Sequence, residues 1–135
     1  MNSKEKCDIA KAESIRFYTK KQWEVSLPIG DKKPYDIIVD NNEKLLKVQC
    51  KYSTQKLRKR NGEYLDDSDV RRTINLRVMG GNQSYNTAKK YKKGDFDLLF
   101  SYTDSDLMHE IPFDNIEGKS SIVVGGSSYK EFKLN

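Results

Sequence analysis

The chain has 135 residues with 25 Lys or Arg against 20 Asp or Glu, a net charge of +5, and is 36% hydrophobic. That composition fits one domain spanning 1–135 with a modest core and excludes wholesale disorder. No apolar run approaches the ~20 residues of a membrane helix, and Met1–Lys6 leads into no signal-peptide core. Cys7 and Cys50 lack metal-ligand spacing and there is one histidine, so a zinc site and a disulfide scaffold are disfavoured; the expectation is a soluble protein of a reducing, cytoplasmic (intracellular) compartment with no membrane partner.

Ser3 is placed to cap a helix running to about Lys20. At about 100° per residue, Cys7, Ala10, Lys11, Ser14, Ile15, Phe17 and Tyr18 share one arc, with Glu5, Ala12, Glu13, Arg16 and Lys20 opposite. Lys11 is a charge near the middle of the apolar stripe. Three strands are expected next, at Trp23–Leu27, Tyr35–Val39 and Leu45–Lys51. Asp40-Asn41-Asn42 marks a hairpin turn between the last two. Polar sequence follows to Val70, with Asn61-Gly62 as a turn tip, and then a strand at Thr73–Val78. Met79–Thr87 reads as a loop and Ala88–Lys93 as a basic approach to a buried strand at Phe96–Tyr102. Leu107–Pro112 and Ile122–Val124 are the last strands, the latter bounded by Gly125-Gly126. The order of elements is that of a mixed α/β (α+β) fold.

The charge is unevenly distributed. Residues 1–50 carry +2, residues 51–93 carry +8 and residues 94–135 carry −5. Lys56, Arg58, Lys59, Arg60, Arg71, Arg72, Arg77, Lys89, Lys90, Lys92 and Lys93 make a basic segment at about 52–93, interleaved with Tyr52, Tyr64, Tyr85 and Tyr91. Cations alternating with tyrosines suit a phosphate backbone, and the arginines could reach guanine edges, as Asn82, Gln83 and Asn86 could reach adenines. A solvated basic surface is the competing explanation of the same composition.

The hairpin supplies a candidate reaction centre. A period of two puts Gln49 and Lys51 on one face of their strand, and a turn at 40–43 brings Asp36 to the same end. Asp36, the Gln49 side-chain carbonyl and the Cys50 backbone carbonyl are hard oxygen donors suited to Mg²⁺. Lys51 could orient or help deprotonate a water and offset charge on a phosphate.

Lys6-Cys7-Asp8-Ile9-Ala10, Trp23-Glu24-Val25-Ser26-Leu27-Pro28-Ile29-Gly30, Tyr35-Asp36-Ile37-Ile38-Val39-Asp40 and Val48-Gln49-Cys50-Lys51 together resemble the PD-(D/E)xK nuclease superfamily. The nearest group in it is the intron-encoded homing endonucleases of restriction-enzyme-like fold, where Gln commonly replaces the acid two before the Lys. Tyr91-Lys92-Lys93-Gly94-Asp95-Phe96-Asp97-Leu98-Leu99-Phe100 and the strand ending at Ile111-Pro112 extend the likeness, so that it covers about Lys4 to Gly118. The resemblance implies a DNA endonuclease of site-specific homing type, built on a restriction-endonuclease-like mixed central sheet flanked by helices. It further implies double-stranded DNA as partner and Mg²⁺ as cofactor, with Mn²⁺ as a substitute. Asp36 becomes a metal ligand with Gln49 beside it, and Lys51 the catalytic lysine.

The chain departs from that group at two positions. Cys7 stands where a Gly is usual, and Lys11 where the group has a Glu facing the site. Asp8, one turn earlier and roughly 60° around the helix, is an imperfect substitute ligand. An ammonium at position 11 repels Mg²⁺ and pairs with Asp36, so weak or absent cleavage is expected. A catalytically inactive nucleic-acid-binding module on the same fold, a junction-resolving or restriction nuclease, and a protein-interaction domain stay open as alternatives. A chain of this size must act in more than one copy to cut both strands, which implies a homodimer or homotetramer. The acidic tail from Asp95 to Asn135 is the expected place for subunit contacts.

Overall fold

Helix α1 spans Ser3–Lys20. Its cap is Asn2 rather than Ser3: the Asn2 side-chain oxygen accepts from the Glu5 N–H at 2.9 Å, satisfying a donor that a helix start leaves free. Ala10, Ser14 and Tyr18 are buried at every fourth position, and Cys7, Lys11, Ile15 and Phe17 beside them are half-buried, as the arc predicts. Tyr18 fixes the end of the helix. Its ring stacks on Trp23 with centroids 5.4 Å apart, and its hydroxyl donates to Glu110 Oε2 at 2.7 Å.

The computed structural model describes residues 1–30, 32–79 and 88–135. Its strands are β1 (Glu24–Ser26), β2 (Ile37–Asp40), β3 (Leu45–Ser53), β4 (Arg72–Asn75), β5 (Arg77–Met79), β6 (Ala88–Lys90), β7 (Leu98–Thr103), β8 (Met108–Pro112) and β9 (Ser121–Val124). The main sheet runs β1-β2-β3-β7-β8, with β3 and β7 parallel and every other neighbour antiparallel. This is the mixed central sheet of a restriction-endonuclease-like α+β fold. Among the described residues α1 is the sole α-helix, so one helix covers the sheet where flanking helices in the plural were expected. The other face is covered by the β4–β9 pair and a short 3₁₀ turn at Phe113–Asn115.

Strand alternation sorts the core into two. Ile37, Val39, Val48, Cys50 and Phe100 face α1 and pack on Ala10 and Tyr18. Leu99 and Ile111 point the opposite way, into a cluster with Ile74, Leu76, Phe96, Phe113, Ile122 and Val124. The β2–β3 turn is built as its residues suggest. Asn42 has φ 75°, and the Asn41 side chain accepts from the N–H groups of Glu43 and Lys44.

Two expected elements are revised. The strand at Thr73–Val78 divides at Leu76, because the Asn75 side chain accepts from the Arg77 N–H while Leu76 N–H turns aside to Ser120 O. β4 therefore pairs with β9, and β5 with β6, which begins within the expected basic approach. The expected loop at 79–87 falls almost wholly on residues 80–87, outside the described residues.

The C-terminal tail packs within the chain. Phe113 is buried, Tyr129 and Phe132 pack on the same core, and Leu134 N–H donates to Met108 O at 2.8 Å along the outer edge of β8. These residues already have partners in their own chain. No helix among the described residues is long and apolar enough to cross a membrane.

Candidate active site

Asp36 sits just before β2, and the register Ile37↔Val48 puts it across from Gln49. Its backbone N–H donates to Val48 O at 2.8 Å, and its carboxylate turns back onto β3. Oδ2 accepts from the Cys50 N–H at 2.8 Å and from Gln49 Nε2 at 3.0 Å. Cys7 Sγ of α1 lies 3.9 Å from Oδ1. Helix, hairpin and central strand thus converge on one carboxylate, and the strand alternation that buries Val48 and Cys50 against α1 turns Gln49 and Lys51 to the same side as Asp36.

Burial pushes the Asp36 carboxyl above its ordinary range, opposed by the Cys50 N–H and by the charges of Lys11 and Lys51. Burial lowers Lys51 below the usual lysine range, with Asp36 drawing it back up. Burial also raises the Cys7 thiol, with Asp36 adding to it. Lys11 and Lys51 both act on Asp36 without closing an ion pair within 4 Å; the ion pairs among the described residues are Lys56–Asp67, Arg71–Asp69 and Arg72–Asp104. Lys11 is half-buried on the site side of α1, whereas Asp8 is exposed and takes no place beside Asp36.

Tyr91 joins this group. Lys51 Nζ lies 5.4 Å from the centre of its ring, which packs edge-on against Phe96 at 4.9 Å. In the sequence it is one of four tyrosines in the basic segment, and only its place before Lys92-Lys93-Gly94 set it apart. Of the other three, Tyr52 packs on Tyr102, Tyr64 on Arg58, and Tyr85 lies outside the described residues.

The donor set does not fit Mg²⁺. A magnesium ion takes oxygen ligands in near-octahedral order, usually with one or two carboxylates. Here a single carboxylate faces two ammonium groups. The Gln49 amide presents its nitrogen, at 3.0 Å from Asp36 Oδ2 and 3.3 Å from Cys50 O, so the expected side-chain carbonyl is turned away from the two other candidate ligands. No cluster of three His, Cys, Asp or Glu side chains able to hold a metal exists among the described residues.

The basic candidates separate into two sets. Arg72 is buried, donating to Asp104 and to the carbonyls of Asp69 and Arg71, and so braces β4. Arg71 is clamped on Asp69 at 2.7 Å, and Lys56 on Asp67 at 2.8 Å. Each of these three holds an acid of its own chain, and the local Asp66-Asp67-Ser68-Asp69 run supplies the partner of two of them. Arg58, Lys59, Arg60, Arg77, Lys89, Lys90, Lys92 and Lys93 are exposed. Arg58 lies 4.1 Å from the ring centre of Tyr64 across the turn at Asn61-Gly62. Gln83 lies outside the described residues, as do Asn82 and Asn86.

A cleft of about 360 Å³ opens beside Gln49, Cys50 and Lys51 and extends to Thr73, Asn75 and Arg77. His109, buried in β8, is not part of it.

A search of the curated proteins finds no match. Among solved structures, the chain is similar to a bacterial homing endonuclease, I-Ssp6803I, with a TM-score of 0.73 and 28% identity over 100% of this chain and 86% of that one. The family model described as PD-(D/E)XK endonuclease matches residues 1–127. Matched over nearly its whole length, the chain belongs to the PD-(D/E)XK endonuclease family.

Proposed function

We propose that this nuclease-family chain is a site-specific DNA endonuclease of the homing type whose cleavage is attenuated by Lys11. The observation that carries the reading is the convergence on Asp36. β3 orients that carboxylate through the Cys50 N–H, Lys51 stands on the same strand, and Lys11 presents an ammonium from α1. The likeness to a bacterial homing endonuclease supports the homing type.

The chain's own residues divide the work. Asp36 is held in one orientation by two donors. Lys51, desolvated beside Tyr91, balances charge on a phosphate placed in the cleft. The exposed cations of residues 58–60 and 89–93 attract the duplex. Lys11 competes for the position where a second carboxylate would stand. With Glu there, two carboxylates would meet Mg²⁺ requirements, Mn²⁺ serving as substitute. Both strands of a site are reached by a homodimer or homotetramer.

A non-catalytic DNA-binding module is the second reading, and the Gln49 amide nitrogen set against Asp36 favours it. Incubating the chain with duplex, branched and single-stranded DNA in Mg²⁺, Mn²⁺ or EDTA tests both. The expected result is duplex binding that falls steeply with salt, with slow cleavage only in the metal arms. Binding with no cleavage at all selects the second reading, and cleavage in EDTA contradicts the first. No binding at low salt removes both and leaves a protein-interaction domain.

A further inference from the structure

We propose that Gln55, Thr73, Asn75 and Arg77 form a base-reading strip held at a fixed offset from Lys51; the proposal rests on the DNA reading above. Three clefts, of about 360, 520 and 250 Å³, are separately bounded but share Gln55 and Thr73 as common walls, and two of them also share Asn75 and Arg77. They form one groove. It starts at Gln49 and Lys51 and leads to the Arg58–Tyr64 pair at one side and to Ser120 and Ser121 at the other.

The strip is built by alternation. Arg72, Ile74 and Leu76 are buried, so Thr73, Asn75 and Arg77 face outward in sequence. Arg77 continues into the antiparallel ribbon β5–β6, where it pairs with Lys90, and a two-stranded ribbon is a shape that the DNA major groove admits. The side chains are a hydroxyl, two amides and a guanidinium, a mixture of donors and acceptors suited to base edges. Phosphate contacts need only cations, and these are supplied at the flanks. Asn75 Oδ1 accepts the Arg77 N–H at 2.8 Å, which fixes the orientation of the amide and presents its NH₂ group to acceptors such as guanine or adenine N7. The Gln55 side-chain amide makes no hydrogen bond among the described residues and offers both functions.

The offset from Lys51 is fixed by the backbone. β3 carries Gln49 and Lys51 and ends at Ser53, whose hydroxyl donates to Thr73 O at 2.5 Å. Two residues later Gln55 O accepts the Thr73 N–H at 2.9 Å. The Gln55 N–H donates to Ser53 Oγ at 3.0 Å, turning the chain after β3, and the Lys56↔Arg72 bridge then sets β4 antiparallel to it, so the strip runs back along the strand that carries Lys51. Lys51 and the strip line one cleft, so the bases read by the strip lie next to the phosphate beside Lys51.

The test is selection of duplexes from a randomised pool in EDTA, using the native chain, Gln55→Ala, Asn75→Ala, Arg77→Ala, Arg77→Lys and a Lys92→Ala/Lys93→Ala double variant. The native chain is expected to return a consensus. Each strip variant should lose about tenfold in discrimination at one or two adjacent pairs. Arg77→Lys should stay relaxed, because an ammonium keeps the charge without the two-pronged contact. The double lysine variant should bind every duplex more weakly with the consensus unchanged. If the strip variants return the native consensus, the proposal is overturned while the DNA reading stands. If the native chain retains no duplex, the DNA reading falls and the strip with it.

Discussion

Lys51 is held in its place at a cost. Burial disfavours its ammonium, and Asp36 offsets that only in part, so its folded pKa lies below the unfolded value. A lysine shifted in that direction destabilises the fold at neutral pH, and the penalty is relieved as pH rises through the folded pKa towards the unfolded one. Lys51→Met keeps the volume and removes the charge. Its denaturation midpoint at neutral pH should rise by about 1 kcal/mol equivalent, and the gain in stability of the native chain at alkaline pH should shrink in the variant. Urea titrations at neutral and alkaline pH check this; an unchanged or lower midpoint at neutral pH would mean that Asp36 fully compensates. At this scale much was legible in advance. The helical arc placed Lys11 on the site side of α1, and the strand period placed Gln49 with Lys51. The direction of the Gln49 amide was not, because periodicity fixes the face of a residue and says nothing of which terminal atom meets Asp36.

Among the elements, β4 depends on a contact that no local pattern announces. Arg72 has a side chain 6% exposed, its guanidinium 2.5 Å from Asp104, a residue 32 positions later. Asp104 N–H in turn donates to Ser53 O, so the pair ties β4 to the ends of β3 and β7. Asp104→Ala leaves a buried cation with only carbonyl partners and should cost about 3 kcal/mol, seen as a lower urea midpoint at an unchanged slope. Arg71→Ala, which breaks a partly exposed pair, should move that midpoint much less. Equal effects of the two changes would contradict the view that the buried Arg72–Asp104 pair, and not the neighbouring Arg71–Asp69 pair, braces β4. The sequence could not make that distinction, since adjacent arginines in a basic run look alike until the fold buries one. Strand positions were readable from apolar alternation, whereas the break at Leu76 arises from the Asn75 side chain capping the Arg77 N–H.

Across the whole molecule, the +8 of residues 51–93 resolves into two exposed cationic groups, at 58–60 and 89–93, and a set formed by Lys56, Arg71 and Arg72 that is ion-paired within the chain. Duplex affinity should follow the exposed set. The Lys59→Ala/Arg60→Ala pair should flatten the slope of log affinity against log salt by about 2, if each side chain meets one phosphate. Anisotropy titrations over a salt series measure it, and an unchanged slope would place this turn away from the DNA.

In the proposed function, one ammonium on α1 limits a site otherwise arranged around Asp36 and Lys51. Cleavage of a bound duplex by the native chain and by Lys11→Glu, each in Mg²⁺ and in EDTA, tests it most directly. Lys11→Glu is expected to cut on the order of a hundredfold faster in Mg²⁺, to be silent in EDTA, and to lose its gain when Lys51→Ala is added. A Lys11→Glu variant that binds the same duplex as tightly and cuts no faster than the native chain would contradict it.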